Sequence, residues 1–173
     1  MKPTVLRPGP NFWDITWARK YERYNRRHQS LWEAVMEKMN GRVVDLGCGP
    51  CVMYEGKTVD LTGVDWSAEA LRQASLHYPS GKYVHASALT SGLPTGQFDT
   101  VIMLGLLDYF EDWTPVVTEA RRLVAPNGVI LATLLHGFND HDWSDPDNAK
   151  SKAHLLSYQH VTSNWYLAEI ATS

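Results

Sequence analysis

A run of apolar, β-branched residues that halts in a glycine turn, Arg42-Val-Val-Asp-Leu-Gly-Cys-Gly-Pro50, constrains this chain more than any other stretch. Arg42 to Leu46 reads as a buried strand, with Asp45 placed just before the turn. Gly47 and Gly49 let the backbone take positive φ and approach a ligand with no Cβ in between. A turn of this kind, at the carboxyl end of a parallel strand, is where open α/β sheets hold small molecules.

The rest of the chain supplies such a sheet. Its 173 residues, 44% hydrophobic and 20% charged, suit one domain built around one core. Residues 1–41 are expected to form an irregular arm and one long helix from Phe12 to Met39, ended by Asn40-Gly41. Along it Trp13, Trp17 and Tyr21 recur at every fourth position, followed by Leu31, Trp32, Val35, Met36 and Met39. From 42 to 135, strands and helices alternate. Strands are expected at Val43–Leu46, Thr58–Val64, Lys82–His85, Phe98–Leu104 and Val129–Leu135. Ser67 is placed to cap a helix reaching His77. Thr114 reads as the cap of another, with Pro115 at its first position and Pro126-Asn-Gly128 as its stop. Buried strands joined by helices imply a doubly wound, mostly parallel sheet. In the tail, residues 136–153 read as a polar loop. Leu155–Val161 and Trp165–Ala171 read as an antiparallel hairpin, because Tyr158, Trp165, Tyr166 and Ile170 favour strands; a single last helix is the alternative.

Composition removes several classes of function. A net charge of −3 gives no global pull toward nucleic acid or an anionic membrane. No apolar run is long enough for a membrane helix, and no signal-peptide core is evident, so a cytoplasmic place is expected. Two cysteines are too few for a disulfide scaffold. Seven tryptophans and eight tyrosines are many for this length, so some should line a pocket.

The glycine pattern departs from the dinucleotide fingerprint, whose third glycine would stand where Val52 does. The link from Gly49 to the next strand leaves room for only about two helical turns. A Walker-type Gly-Lys-Ser/Thr is missing too. Asp65, ending Thr62-Gly-Val-Asp-Trp66, suits a ribose, and Trp66 offers a wall for a purine.

With these residues the chain resembles the class I S-adenosylmethionine-dependent methyltransferases over roughly Phe12 to Leu135. Val43-Val-Asp-Leu-Gly-Cys-Gly-Pro50 resembles the family's first motif, which implies that Asp45, Gly47, Cys48 and Gly49 hold the methionine end of S-adenosyl-L-methionine. Leu61-Thr-Gly-Val-Asp-Trp-Ser67 resembles the second, with Asp65 as ribose ligand. Phe98 to Asp108 resembles the strand whose end borders the transferred methyl, which brings in Leu104. Leu123-Val-Ala-Pro-Asn-Gly-Val-Ile130 resembles the turn before the fifth strand. The resemblance implies a Rossmann-like methyltransferase fold. It also implies a single domain: arm and lid helix at 1–41, cofactor core at 42–135, substrate-side loop and hairpin at 136–173.

Two departures stand out. Ser87, next to Ala88, occupies the place where many relatives carry an acid for the adenine amino group. Cys51 replaces the first motif's third glycine, which is tolerable if its φ stays negative. The Cys48-Gly-Pro-Cys51 spacing also matches a redox pair, although packing explains it better in this strand-turn context. The basic, aromatic run Arg19 to His28 resembles RNA-binding segments, but a solvated helix face or pocket lid fits the acidic net charge better.

The function expected is methyl transfer to a small-molecule oxygen or nitrogen by in-line displacement. His136, at the end of the fifth strand, and Asp108 are the candidate catalytic groups. Trp13, Trp17, Tyr21 and Tyr24 would close over the cofactor. No metal site is expected, nor a membrane or nucleic-acid partner; homo-oligomerisation stays open. A binding module without turnover and a nucleic-acid methyltransferase are the rival readings.

Overall fold

The computed structural model describes residues 12–18, 28–110, 112–135, 155–162 and 165–173. Its elements are helix α1 (residues 12–18), α2 (Gln29–Lys38), strand β1 (Arg42–Leu46), β2 (Asp60–Asp65), α3 (Ala68–His77), β3 (Lys82–His85) and β4 (Phe98–Met103). After these come α4 (Thr114–Leu123), β5 (Val124–Leu135), β6 (Leu155–Thr162) and β7 (Trp165–Ile170). The strands form one sheet in the order β3-β2-β1-β4-β5-β7-β6. The first five are parallel, and β7 and β6 add an antiparallel hairpin at the β5 edge. Strand order reverses between β1 and β4, which opens a crevice beyond their carboxyl ends.

The two faces follow the period-two alternation of the strands. Val43 of β1, Leu61 of β2 and Ile102 of β4 point to one face, where Val35 of α2 and Ala74 of α3 cover them. Val44, Leu46, Val64, Val101 and Met103 point to the other, against Val116, Val117, Ala120 and Leu123 of α4. Val116, Val117 and Leu123, fully buried, contribute up to about 1.5–3 kcal/mol each. Ser67 caps α3 by accepting from the Ala70 amide at 3.1 Å. Gly41, with φ 58°, turns the chain from α2 into β1 where any Cβ would collide with the Asp99 carboxylate, and that carboxylate accepts the Arg42 amide at 2.7 Å.

Several boundaries differ from those expected. The N-terminal helix is not continuous: His28 takes φ −121° and ψ 12°, outside helical values, and α2 starts afresh after it. Strand β2 runs two residues later at its start, and β4 stops at Met103 because Leu104 and Gly105 turn. Trp113, not Thr114, is the N-cap of α4; the Asp112 carboxylate accepts the Thr114 amide at 2.9 Å, which moves proline to the second helical position. Helix α4 also ends at Leu123, before Pro126. There β5 starts early, pairing Phe98 with Val124, and the register then shifts so that Thr100 meets Val129. Asn127, at φ 66°, takes up the extra length. The link after Gly49 holds a single 3-10 turn, Val52–Tyr54. Cys51 is left-handed, at φ 55°, not negative as expected; its carbonyl accepts the Tyr54 amide at 3.1 Å, so the turn holds the strained residue in place. The hairpin, and not a helix, occupies the tail.

Candidate active site

One cavity opens at the crevice, and two strand tips furnish its polar floor. Val64 of β2 fixes the glycine turn: its carbonyl accepts both the Gly47 amide at 2.7 Å and the Cys48 amide at 3.1 Å. Gly47 and Gly49 take φ of 72° and 54°, as the turn requires. A Cβ on Gly49 would stand 3.1 Å from the indole of Trp17, so α1 lies directly over the bare backbone.

The two acids differ in their bonding. Asp65 is braced on both oxygens: Oδ2 accepts the Gly49 amide at 2.9 Å and Oδ1 accepts the Ser67 amide at 2.8 Å. Burial pushes its carboxyl above the usual range, and those amide donors work against the shift. Each oxygen still has a second lone pair for a ribose hydroxyl. Asp45 accepts one bond, from the Tyr54 hydroxyl to Oδ2 at 2.8 Å. Its Oδ1 is buried and has no partner among the described residues. Burial raises the Asp45 carboxyl to about 7, with the Tyr54 hydrogen bond opposing and the nearby Asp65 charge adding to the rise.

Helix α1 is tied down at two points. Asp14 Oδ1 accepts the Ser67 hydroxyl at 2.5 Å and the Glu69 amide at 3.1 Å, and the Gln73 side chain donates to the Trp17 carbonyl at 2.9 Å. Trp13 and Trp17 stack with centroids 6.0 Å apart, and Trp13 meets Tyr109 edge-on at 5.0 Å. Beyond the tips of β4 and β5 the wall becomes aromatic. Gly105 donates its amide to the buried Thr133 hydroxyl at 2.7 Å. Trp165 lies 3.8 Å from where a Gly105 Cβ would stand. His28 meets Trp165 edge-on at 5.7 Å.

Of the residues expected at the site, Asp45, Gly47, Cys48, Gly49, Asp65, Trp66, Ser87, Ala88 and Leu104 all border this cavity. His85 orients Trp66 through its carbonyl at 2.9 Å, and the Ser87 hydroxyl oxygen accepts the Leu89 amide at 3.2 Å. Asp108 lies in the short turn Leu107–Tyr109, and its neighbour Tyr109 borders the cavity in its place. Tyr21, Tyr24 and His136 lie outside the described residues. Both cysteines are free and buried. Cys48 Sγ packs where Gly63 has no side chain, 2.8 Å from the position of a Cβ there, and burial drives its thiol pKa well up, away from the reactive thiolate.

Tyr54, His28, Trp32, Thr133 and Trp165 border the cavity without having been singled out as ligand-binding groups. Trp32 and Trp165 were legible in the sequence as apolar helix and strand positions, and Tyr54 as an aromatic ring in the short link before β2, but none of them as part of a site.

Residues 44–132 match the family described as a methyltransferase domain. The ubiquinone biosynthesis O-methyltransferase of Dechloromonas aromatica is 37% identical over 103 residues, 54% of this chain and 44% of the relative. That of Thiobacillus denitrificans is 33% identical over 103 residues, 55% of this chain and 44% of the relative. The chain thus spans less than half the length of the curated relatives it matches. In fold, it superimposes on the TehB-like SAM-dependent methyltransferase of Corynebacterium glutamicum with a TM-score of 0.69 at 14% identity, covering 95% of this chain and 98% of the other. The DhpI structure in complex with SAH gives 0.70 at 16% identity and 93% coverage of both.

Proposed function

Because this chain belongs to the class I S-adenosylmethionine-dependent methyltransferases, we propose that it moves a methyl group from that cofactor to a hydroxyl or amino group of a small, planar acceptor. One observation carries the reading. Among the described residues bordering the cavity there is no lysine or arginine, while two buried acids face it and one carboxylate oxygen lacks a partner. Such a site suits a ligand bearing positive charge, as the sulfonium and ammonium of S-adenosylmethionine do.

The residues fit that cofactor. Asp45 Oδ1 would take the ammonium, Asp65 the ribose hydroxyls, and the Gly47–Gly49 backbone the chain between them. Trp66, Ser87, Ala88 and Leu89 would enclose the base. The bound cofactor supplies an electrophilic methyl, and transfer is a single in-line displacement. What the protein adds is alignment and exclusion of water, a contribution that can reach roughly 7–11 kcal/mol. Trp17 covers the glycine turn, while Trp165, Tyr109, Trp13 and Leu106 confine the acceptor beyond Gly105. The aromatic wall and the O-methyltransferase relatives favour a phenolic hydroxyl over an amine. A hydroxyl must lose a proton as it attacks; His28, set against Trp165, is placed on that side, and His136 and Asp108 remain the other candidates. None of the helices among the described residues is long and apolar enough to cross a membrane.

The test is transfer of labelled methyl from S-adenosylmethionine to a panel of phenols, catechols and amines. Label in the phenols, reduced at least tenfold by Trp165→Ala, supports the reading. Cofactor binding with no label in any acceptor would mark the protein as a binding module instead.

A further inference from the structure

The environment of Asp45 goes beyond holding an ammonium. Its Oδ2 accepts the Tyr54 hydroxyl at 2.8 Å, and its Oδ1 is buried without a partner among the described residues. Among the described residues, the groups that face it are Tyr54 from the 3-10 turn, Asp65 from β2 and the thiols of Cys48 and Cys51 from the glycine turn; His28, ahead of α2, borders the same cavity. None of them carries a fixed positive charge. A buried carboxylate in such company must acquire a cation or a proton.

We propose that Asp45 carries a proton in the ligand-free protein and surrenders it to solvent when the cofactor's ammonium arrives, and that Tyr54 is the positioning residue that sets the pH of this exchange. The inference rests on the methyltransferase reading above. The exchange balances: a neutral carboxyl and an ammonium become a carboxylate–ammonium pair, and one proton enters bulk water. The Tyr54 hydroxyl can donate to either form of the acid but favours the charged one, so it keeps the exchange accessible near neutrality. The carboxyl's elevation to about 7 is consistent with this. The usual sequence of this motif places a helix after the glycine turn; here the 3-10 turn Val52–Tyr54 stands in that place and delivers the phenol to the acid.

The experiment is calorimetric titration of the intact protein with two probes, S-adenosylhomocysteine and 5′-methylthioadenosine, which lacks the amino-acid end. Buffers of different ionisation enthalpy report the protons released. For S-adenosylhomocysteine the dissociation constant should fall about fiftyfold from about pH 5 to about pH 7, with close to one proton released per ligand at about pH 6. Any slope shared by methylthioadenosine belongs to groups other than Asp45, so the excess of the first probe over the second is the Asp45 signal. Asp45→Asn should abolish that excess. Tyr54→Phe should move its midpoint to higher pH with the high-pH affinity kept within a few-fold; a purely structural role for Tyr54 would lower that plateau and leave the midpoint in place, which would overturn its assignment.

Stability of the ligand-free protein gives a second readout. An acid whose folded pKa is raised binds more protons when folded, so stability falls as pH rises from about 4 to about 7. Asp45→Asn should flatten that fall. Equal pH slopes for both probes in the wild type would overturn the proton exchange. Failure of both probes to bind would instead remove the methyltransferase reading beneath it.

Discussion

The two halves of the cavity are built by different means. Over β1 and β2, backbone makes the site: amides of Gly47, Cys48, Gly49 and Ser67 are all committed to Val64 or Asp65. Over β4 and β5, side chains make it: Trp165 from β7, His28 from before α2 and Trp13 from α1 converge on Gly105 and Tyr109. A turn held by its own backbone hydrogen bonds keeps one shape for a ligand common to many proteins. An aromatic wall drawn from distant elements can be redrawn residue by residue without disturbing the first half. On this account the first half serves the cofactor and the second the acceptor.

Substitutions in each half should therefore have separable effects. The largest is expected at Gly49→Val. The new side chain would need a left-handed backbone and would enter the space of Trp17, so S-adenosylhomocysteine affinity should drop by on the order of a hundredfold in calorimetry. A change under about threefold would mean that the turn does not touch the ligand. Trp165→Ala should do the reverse: kcat/KM for a phenolic acceptor falls about tenfold, while cofactor affinity stays within about twofold. If both fall together, the halves are not independent. The smallest effect is expected at Ser67→Ala, which removes the α3 cap and the hydroxyl that holds Asp14. It should cost about 1 kcal/mol, or about 2–4 °C in Tm by thermal denaturation, and should quicken cofactor release by freeing α1.

The same division explains what could be read from the sequence. Strands β1, β2 and β4 were legible because a doubly buried parallel strand is a local apolar run, and the glycine turn and Asp65 were legible because their work is done within a short stretch of chain. The hairpin was legible from its aromatic, strand-favouring residues. Trp165 over Gly105 was not, since the two meet only through the position of β7 beside β5. Nor was the partnership of Tyr54 with Asp45, which needs the left-handed Cys51 to turn the phenol inward. Left-handed φ at a cysteine contradicts local preference, and tertiary context decided it. The break at His28 escaped notice for a related reason: helical spacing holds on both sides of the polar stretch from Glu22 to Ser30, and period alone carries no signal for a bend between them. The bulge at Asn127 was misread as a helix stop, because Pro126-Asn-Gly128 serves either purpose.

The central claim is that an acid at the tip of β2 and the glycine turn at the tip of β1 hold one adenosyl ligand between them. Titrating S-adenosylhomocysteine into the wild type and into Asp65→Ala, with circular dichroism on both, tests it most directly. Loss of two hydrogen bonds to a charged group, each worth about 1.5–3 kcal/mol, should weaken binding by a hundredfold or more in a variant that still folds. A folded variant that binds as tightly as the wild type would contradict the account.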